Sequence, residues 1–158
     1  MTSSGSLPAR QGPARPLGPI LDFMRLLWAI DHGLETASKR MEARLGVTGR
    51  QRLVILIVGR FPGISAGEIA EILRVHPSTL TGVFRRLEKR QLIARHNDPA
   101  DARRALFTLL DGGRHIDGVR RGTIQAAVQR ALAGVPERRV AAARSILDAV
   151  FLELMRDD

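Results

Sequence analysis

The segment His76 to Arg90, HPSTLTGVFRRLEKR, sets the hydroxyls of Ser78, Thr79 and Thr81 ahead of the cations Arg85, Arg86 and Lys89. At helical spacing Leu80, Val83, Phe84 and Leu87 share one face. Ser78, Thr81, Gly82, Arg85 and Lys89 lie roughly opposite, with Thr79 and Arg86 on a flank. Hydroxyls can exchange hydrogen bonds with base edges, and guanidinium and ammonium groups can hold phosphates, so this face suits a helix lying in the DNA major groove. An amphipathic surface helix with a merely polar outer face would show the same pattern. Taken alone, the helix leaves both readings open.

A second cluster follows. HNDPADARR, His96 to Arg104, places Asp98, Asp101, Arg103 and Arg104 around the turn formers Asn97 and Pro99, between the apolar runs LIA and ALFTLL. The flanking segments alternate in part and read as an antiparallel hairpin. At its tip Arg103 suits the negative potential of a minor groove, leaving Arg104 for the phosphates. Asp98 supports the turn. Asp101, two residues before Arg103, is placed to hold its guanidinium by a charge-assisted hydrogen bond.

Elements that position these groups can be read from their punctuation. TGRQ (Thr48 to Gln51) and SAGE (Ser65 to Glu68) are capping boxes, each opening an apolar helical run. LVILIVGR ends at Pro62-Gly63, and the helix through IAEILRV stops just before His76 or the preceding turn caps the next one. Helix, turn, helix and hairpin make a winged helix-turn-helix over about residues 47–110. The fold class expected is mainly α with a small β-hairpin wing (α+β).

Long apolar stripes flank this unit. Ile20, Phe23, Met24, Leu27, Ile30, Leu34, Ala37, Met41 and Leu45 recur at three or four residues and end before Gly46. GRHIDGVRRGTIQAAVQRALAGV reads as one helix, and PERRVAAARSILDAVFLELMR as another with Val140, Ala143, Leu147, Val150 and Leu154 in a stripe. Stripes over about residues 19–45 and 111–156 exceed what a small winged lobe can cover, so they predict a homodimer. Residues 1–18 are rich in Pro, Gly and Ser and read as a disordered tail in which Arg10 and Arg15 are solvated.

With 158 residues, one such domain fills the chain, and a net charge of +9 that is almost entirely arginine favours double-stranded DNA as partner. Lys39 and Lys89 are the only lysines. The absence of cysteine excludes disulfides, Cys-ligated metals and thiol redox sensing. With no membrane-length apolar run and no secretory signal, the expected location is cytoplasmic. No nucleophile-base pair, phosphate loop or paired carboxylates appear in an enzyme-like context, and no cofactor is called for.

On GEIAEILRVHPSTLTGVFRRLEKRQLIAR and DPADARRALFTLLDGGR, the chain resembles the multiple antibiotic resistance regulator (MarR) family over about residues 20–156. The wing's Asp-x-Arg, Asp101 and Arg103, is the most diagnostic match. That resemblance implies a dimeric, effector-responsive transcription factor, usually a repressor, with each winged helix reading half of a palindrome. It also implies a site for a small aromatic or anionic effector between the lobes, near Arg25, Trp28, His32 and His115. Three positions depart from the family pattern. Gly82 replaces a larger side chain that reaches DNA; Gln91 replaces the glycine of a left-handed turn; Leu110 replaces a helix-capping threonine, for which Asp111 is the expected substitute. A metal-responsive regulator using His32, His76, His96 and His115 is a rival reading, but no pair has the His-x-x-x-His spacing of a helical site. A non-specific nucleic-acid-binding protein would share the charge without needing wing or stripes.

Overall fold

A computed structural model describes residues 15–156. The tail expected over residues 1–18, with Arg10, lies mostly outside that range, as do the last two residues; Arg15 to Gly18 are exposed and lack regular structure. The elements run α1 (Pro19–Leu45), α2 (Gly49–Arg60), β1 (Ile64–Ser65), α3 (Ala66–Leu73), α4 (Pro77–Lys89), β2 (Ile93–Asn97), β3 (Ala105–Leu109), α5 (Asp111–Gly118), α6 (Ile124–Leu132) and α7 (Glu137–Leu154).

Both capping boxes form. The Thr48 and Ser65 hydroxyls accept from the amides of Gln51 and Glu68, whose side chains accept in return from the cap amides. These caps fix where α2 and α3 begin, and hence which faces turn inward. Val54, Ile55 and Val58 of α2, Ile69 of α3 and Leu80, Phe84 and Leu87 of α4 bury against Leu92, Ile93, Phe107 and Ile116. Phe84 stacks on Phe107 at 4.4 Å between ring centroids, which ties α4 to the sheet.

That sheet has one strand more than the hairpin expected. β1 pairs antiparallel with β3, so the order is β1-β3-β2, with Ile64 opposite Phe107 and Arg95 also opposite Phe107 on the other side. Two residues carry too little alternation to announce a strand. Gly113 allows a close approach on the same edge of the lobe. A Cβ there would collide with the Leu92 carbonyl oxygen, so only glycine lets α5 come this near to the chain entering β2.

Two departures in the sequence resolve differently. Gln91 keeps the left-handed conformation, with φ of 55°. It completes a Schellman end to α4, its amide donating to Glu88 O at 2.9 Å and the next amide, Leu92, to Leu87 O at 3.0 Å. Burial of Leu87 and Leu92 holds this turn without glycine. Gln91→Gly is therefore expected to stabilise the fold by about 0.5–1 kcal/mol, read as a higher urea midpoint at constant m-value; a drop would show that the Gln91 side chain, bonded to Glu88 O, matters more. Asp111, by contrast, is not the cap of α5. Leu110 holds that position without a side-chain hydrogen bond, and Asp111 is the first helical residue, pairing with Arg114. A carboxylate one residue inside the helix still favours its positive end but cannot fold back onto the amides as a cap does.

The single helix expected from Gly113 onward is also corrected. It breaks at Val119, and α6 restarts after Thr123, whose hydroxyl accepts from the Ala126 amide at 3.1 Å. Gly118 and Gly122 weaken the helix there, Gly122 at φ of 65°, while a capping threonine offers a competing start. Into this break reaches Arg52 of α2, only 2% exposed; it donates to Val119 O at 2.6 Å and to the Gln125 side chain. Burial, then nearby Arg120, pulls its pKa down, against an opposing effect of Asp117.

Outside the winged lobe little is covered. Met41 is the only buried residue of α1, and α7 has none. Ile20, Met24, Trp28 and Ile30 on α1 and Ile146, Leu152 and Leu154 on α7 are all more than half exposed. One ion pair with a cation-π contact joins α7 to the turn before α4, from Arg74 to Asp148 at 2.8 Å and over the Phe151 ring. Among the described residues no helix is long and apolar enough to cross a membrane.

Candidate nucleic-acid interface

The outer face of α4 owes its orientation to its two ends. At the start His76 is the cap, its Nδ1 accepting from the Ser78 amide at 3.3 Å and lying 2.7 Å from the Ser78 hydroxyl oxygen. At the far end the Schellman turn stops the helix before Leu92 enters the core. With Leu80, Phe84 and Leu87 buried between these ends, Ser78, Thr79, Thr81, Arg85, Arg86 and Lys89 are left on the outer side, exposed or at most half-buried. The structure thus brings the hydroxyls and cations to one solvent face.

Within that face the cations differ. Arg86 bends back along its own helix and donates from Nε to Gly82 O at 3.2 Å. A Cβ at Gly82 would meet only the end of that side chain, at 3.5 Å, so packing does not require glycine here. Among the described residues no hydrogen bond or ion pair holds the charged ends of Arg85 or Lys89. Between α4 and the sheet lies an open cavity of about 380 Å³, bordered by Ser78, Thr81, Arg85 and Arg95 and floored by Phe84 and Phe107. Arg95 does not stand out in the sequence. Its place in the run LIARH marks it as strand, but only the register opposite Phe107 puts it beside α4.

The wing is closed by Asp98 N donating to Arg104 O at 3.1 Å and by Arg104 N donating to Asp101 O at 2.9 Å. Asp98 also accepts from the Ala100 amide at 2.8 Å. Asp101 differs from expectation. Its carboxylate accepts from the backbone amide of Arg103 at 3.0 Å, an Asx turn, and does not grip the guanidinium. So short a side chain reaches the amide two residues on more readily than the end of a long, solvated arginine. Arg103 is left with no side-chain partner among the described residues. Arg104 is the one that is held: it pairs with Asp98 and with Glu68, each at 3.4 Å, and lies 3.3 Å from the Ser65 hydroxyl. The Glu68 carboxyl is kept below the usual carboxylate range, first by its hydrogen bond from the Ser65 hydroxyl, then by the Ser65 amide, with Arg104 adding to both.

Arg25, Trp28 and His32 follow one another at about one-turn spacing along α1, and His115 is on α5. All four are exposed on the chain, Arg25 paired with Asp22 at 2.8 Å, and they line neither this cavity nor a second one of about 400 Å³ beside Phe61 and Ile72. No cluster of three or more metal-ligating side chains occurs among the described residues; His96 instead meets the Thr108 hydroxyl at 2.9 Å across the strands.

A family model described as the MarR family matches residues 45–104, the stretch from the end of α1 through α2, α3, α4 and the wing to Arg104. This winged helix-turn-helix is of the MarR family. The HTH-type transcriptional regulator TtmR of Methylorubrum extorquens is 32% identical over 92 residues, 58% of this chain and 47% of TtmR. The chain spans about half the length of the curated relatives it matches, 47% and 55% for two of them. Among solved structures, the S. aureus MepR–DNA complex superposes with a TM-score of 0.69 at 20% identity, over 84% of this chain and 98% of that one. PcaV of Streptomyces coelicolor with its natural ligand gives 0.65 at 25% identity, over 85% and 92%. The MarR fold therefore extends well past the stretch that carries the family's sequence pattern, and takes in the long helices on either side.

Proposed function

We propose that the protein is a homodimeric, DNA-binding transcriptional repressor of the cytoplasm, reading a pseudo-palindromic operator and released by a small aromatic or anionic effector. One observation carries the reading. A solvent-exposed hydroxyl and cation face on α4 borders the same concave surface as the sheet that bears the wing. In this reading α4 lies in the major groove, where Ser78, Thr79, Thr81 and Arg85 meet base edges and Arg86 and Lys89 meet phosphates. Gly82 adds no side chain to that contact. Arg103 enters the adjacent minor groove from the wing.

Dimerisation is supported by the uncovered apolar faces of α1 and α7, which a second copy would bury. MepR, of the same fold, is known with DNA bound, and PcaV with a ligand bound. Arg25, Trp28, His32 and His115 are the proposed effector contacts, completed by the second copy, since they make no cavity within one chain. An effector that alters the angle between lobes changes the spacing of the two α4 helices, so that both can no longer dock.

The test is titration of operator DNA with wild type and Arg103→Ala. Loss of the wing arginine is expected to cost about 1–3 kcal/mol of specific binding with thermal stability unchanged, because Arg103 has no side-chain partner among the described residues. Unchanged affinity would remove the wing from the interface.

A further inference from the structure

We propose that Arg104 is a positioning residue: by bridging Asp98 at the base of the wing and Ser65 and Glu68 at the start of α3, it sets where the wing presents Arg103. The proposal rests on the DNA-binding reading above and assigns Arg104 to the fold side of that interface, where its sequence alone suggests a phosphate contact.

The geometry is that of a two-sided clamp. Nη1 of Arg104 faces Asp98 at 3.4 Å, while Nη2 faces Glu68 at 3.4 Å and the Ser65 hydroxyl at 3.3 Å. A planar guanidinium can hold two acceptors in different directions at once; an ammonium holds its position less well. Each pair is partly exposed and weak taken singly. Their placement gives them their effect. The ladder between β2 and β3 ends at Asn97 and Ala105, and one residue beyond, on either side, Asp98 and Arg104 are drawn toward the α3 cap. Residues 99–103, with Arg103 at the end, project past this clamp and make no side-chain hydrogen bond to the helices among the described residues. Because Glu68 is also the reciprocal partner in the capping box that opens α3, the wing is referred to the same residue that fixes the start of the helix before α4. Both terminal nitrogens of Arg104 are thus turned toward acceptors within the protein.

Removing a phosphate contact and removing a clamp have opposite signatures. Binding would be measured to DNA fragments selected from a random library by the wild-type protein, over a range of salt, for R103A, R104A, R104K, E68Q and E68Q/R104A. R104A and E68Q are each expected to weaken binding roughly tenfold, with the salt slope unchanged and non-specific DNA held as before. R104K recovers part of the loss, and the double variant is no weaker than R104A. Glutamine can still close a capping box, so melting of E68Q checks that α3 is intact. The E68Q result is the sharpest, since loss of a negative charge near DNA would by charge alone strengthen binding. A slope reduced by about one in R104A with tighter binding by E68Q would make Arg104 a phosphate contact and overturn the proposal; so would unchanged affinity in both. A wild-type protein that selects no fragment over competitor DNA would overturn the DNA-binding reading, and this proposal with it.

Discussion

Leu147→Glu on α7, or Ile20→Glu on α1, is expected to convert the protein to a monomer at micromolar concentration and to weaken operator binding by about 10²–10⁴-fold. Both side chains are already exposed in the single chain, Ile20 at 73% and Leu147 at 46%, so neither substitution empties the winged lobe's core. In the proposed dimer, a glutamate on either face would leave an unpaired charge buried against the second copy. DNA binding falls because two linked half-site contacts become one, and the effective concentration that joined them is lost. Light scattering reads the first effect and fluorescence anisotropy the second. A dimer that persists in both variants would place the interface elsewhere; a monomer with undiminished affinity would mean that one winged helix suffices.

Phe107→Ala is expected to cost about 3–5 kcal/mol of stability, within the range for emptying a fully packed aromatic site. Phe107 is 1% exposed, sits in the central strand opposite both Ile64 and Arg95, and stacks on Phe84 of α4. Its loss removes the contact that fixes α4 against the sheet, and the cavity cannot collapse without moving one or the other. Urea unfolding followed by circular dichroism measures the loss. A cost below about 1 kcal/mol would show that the lobe repacks freely, which tight interiors resist.

How far the sequence reached depended on whether a feature was local. Capping boxes at Thr48 and Ser65 and the outer face of α4 could be read because a cap and a helical face depend on residues three or four apart. The wing was legible from its turn formers. What escaped depends on partners distant in the chain. The Ile64–Ser65 strand exists only because β3 is there to pair with it, and Arg95 joins the α4 surface only through register. Arg52, a charge within an apolar helix, is buried because a broken helix 67 residues later offers it a carbonyl, which no local pattern announces. Charges misled in the wing for a similar reason. Asp101 and Arg103 are neighbours in sequence, yet the guanidinium that the carboxylates hold is Arg104, by way of a helix cap 36 residues earlier. Arg25, Trp28, His32 and His115 line neither cavity of the single chain, and spacing along the sequence could not show that.

Whether two winged helices read one symmetric site can be measured by selecting DNA fragments from a random library with the purified protein and sequencing those retained against excess competitor. An inverted repeat with half-site centres about one helical turn, or roughly 10 base pairs, apart is expected. Recovery of no motif, or of a single unrepeated half-site, would contradict it.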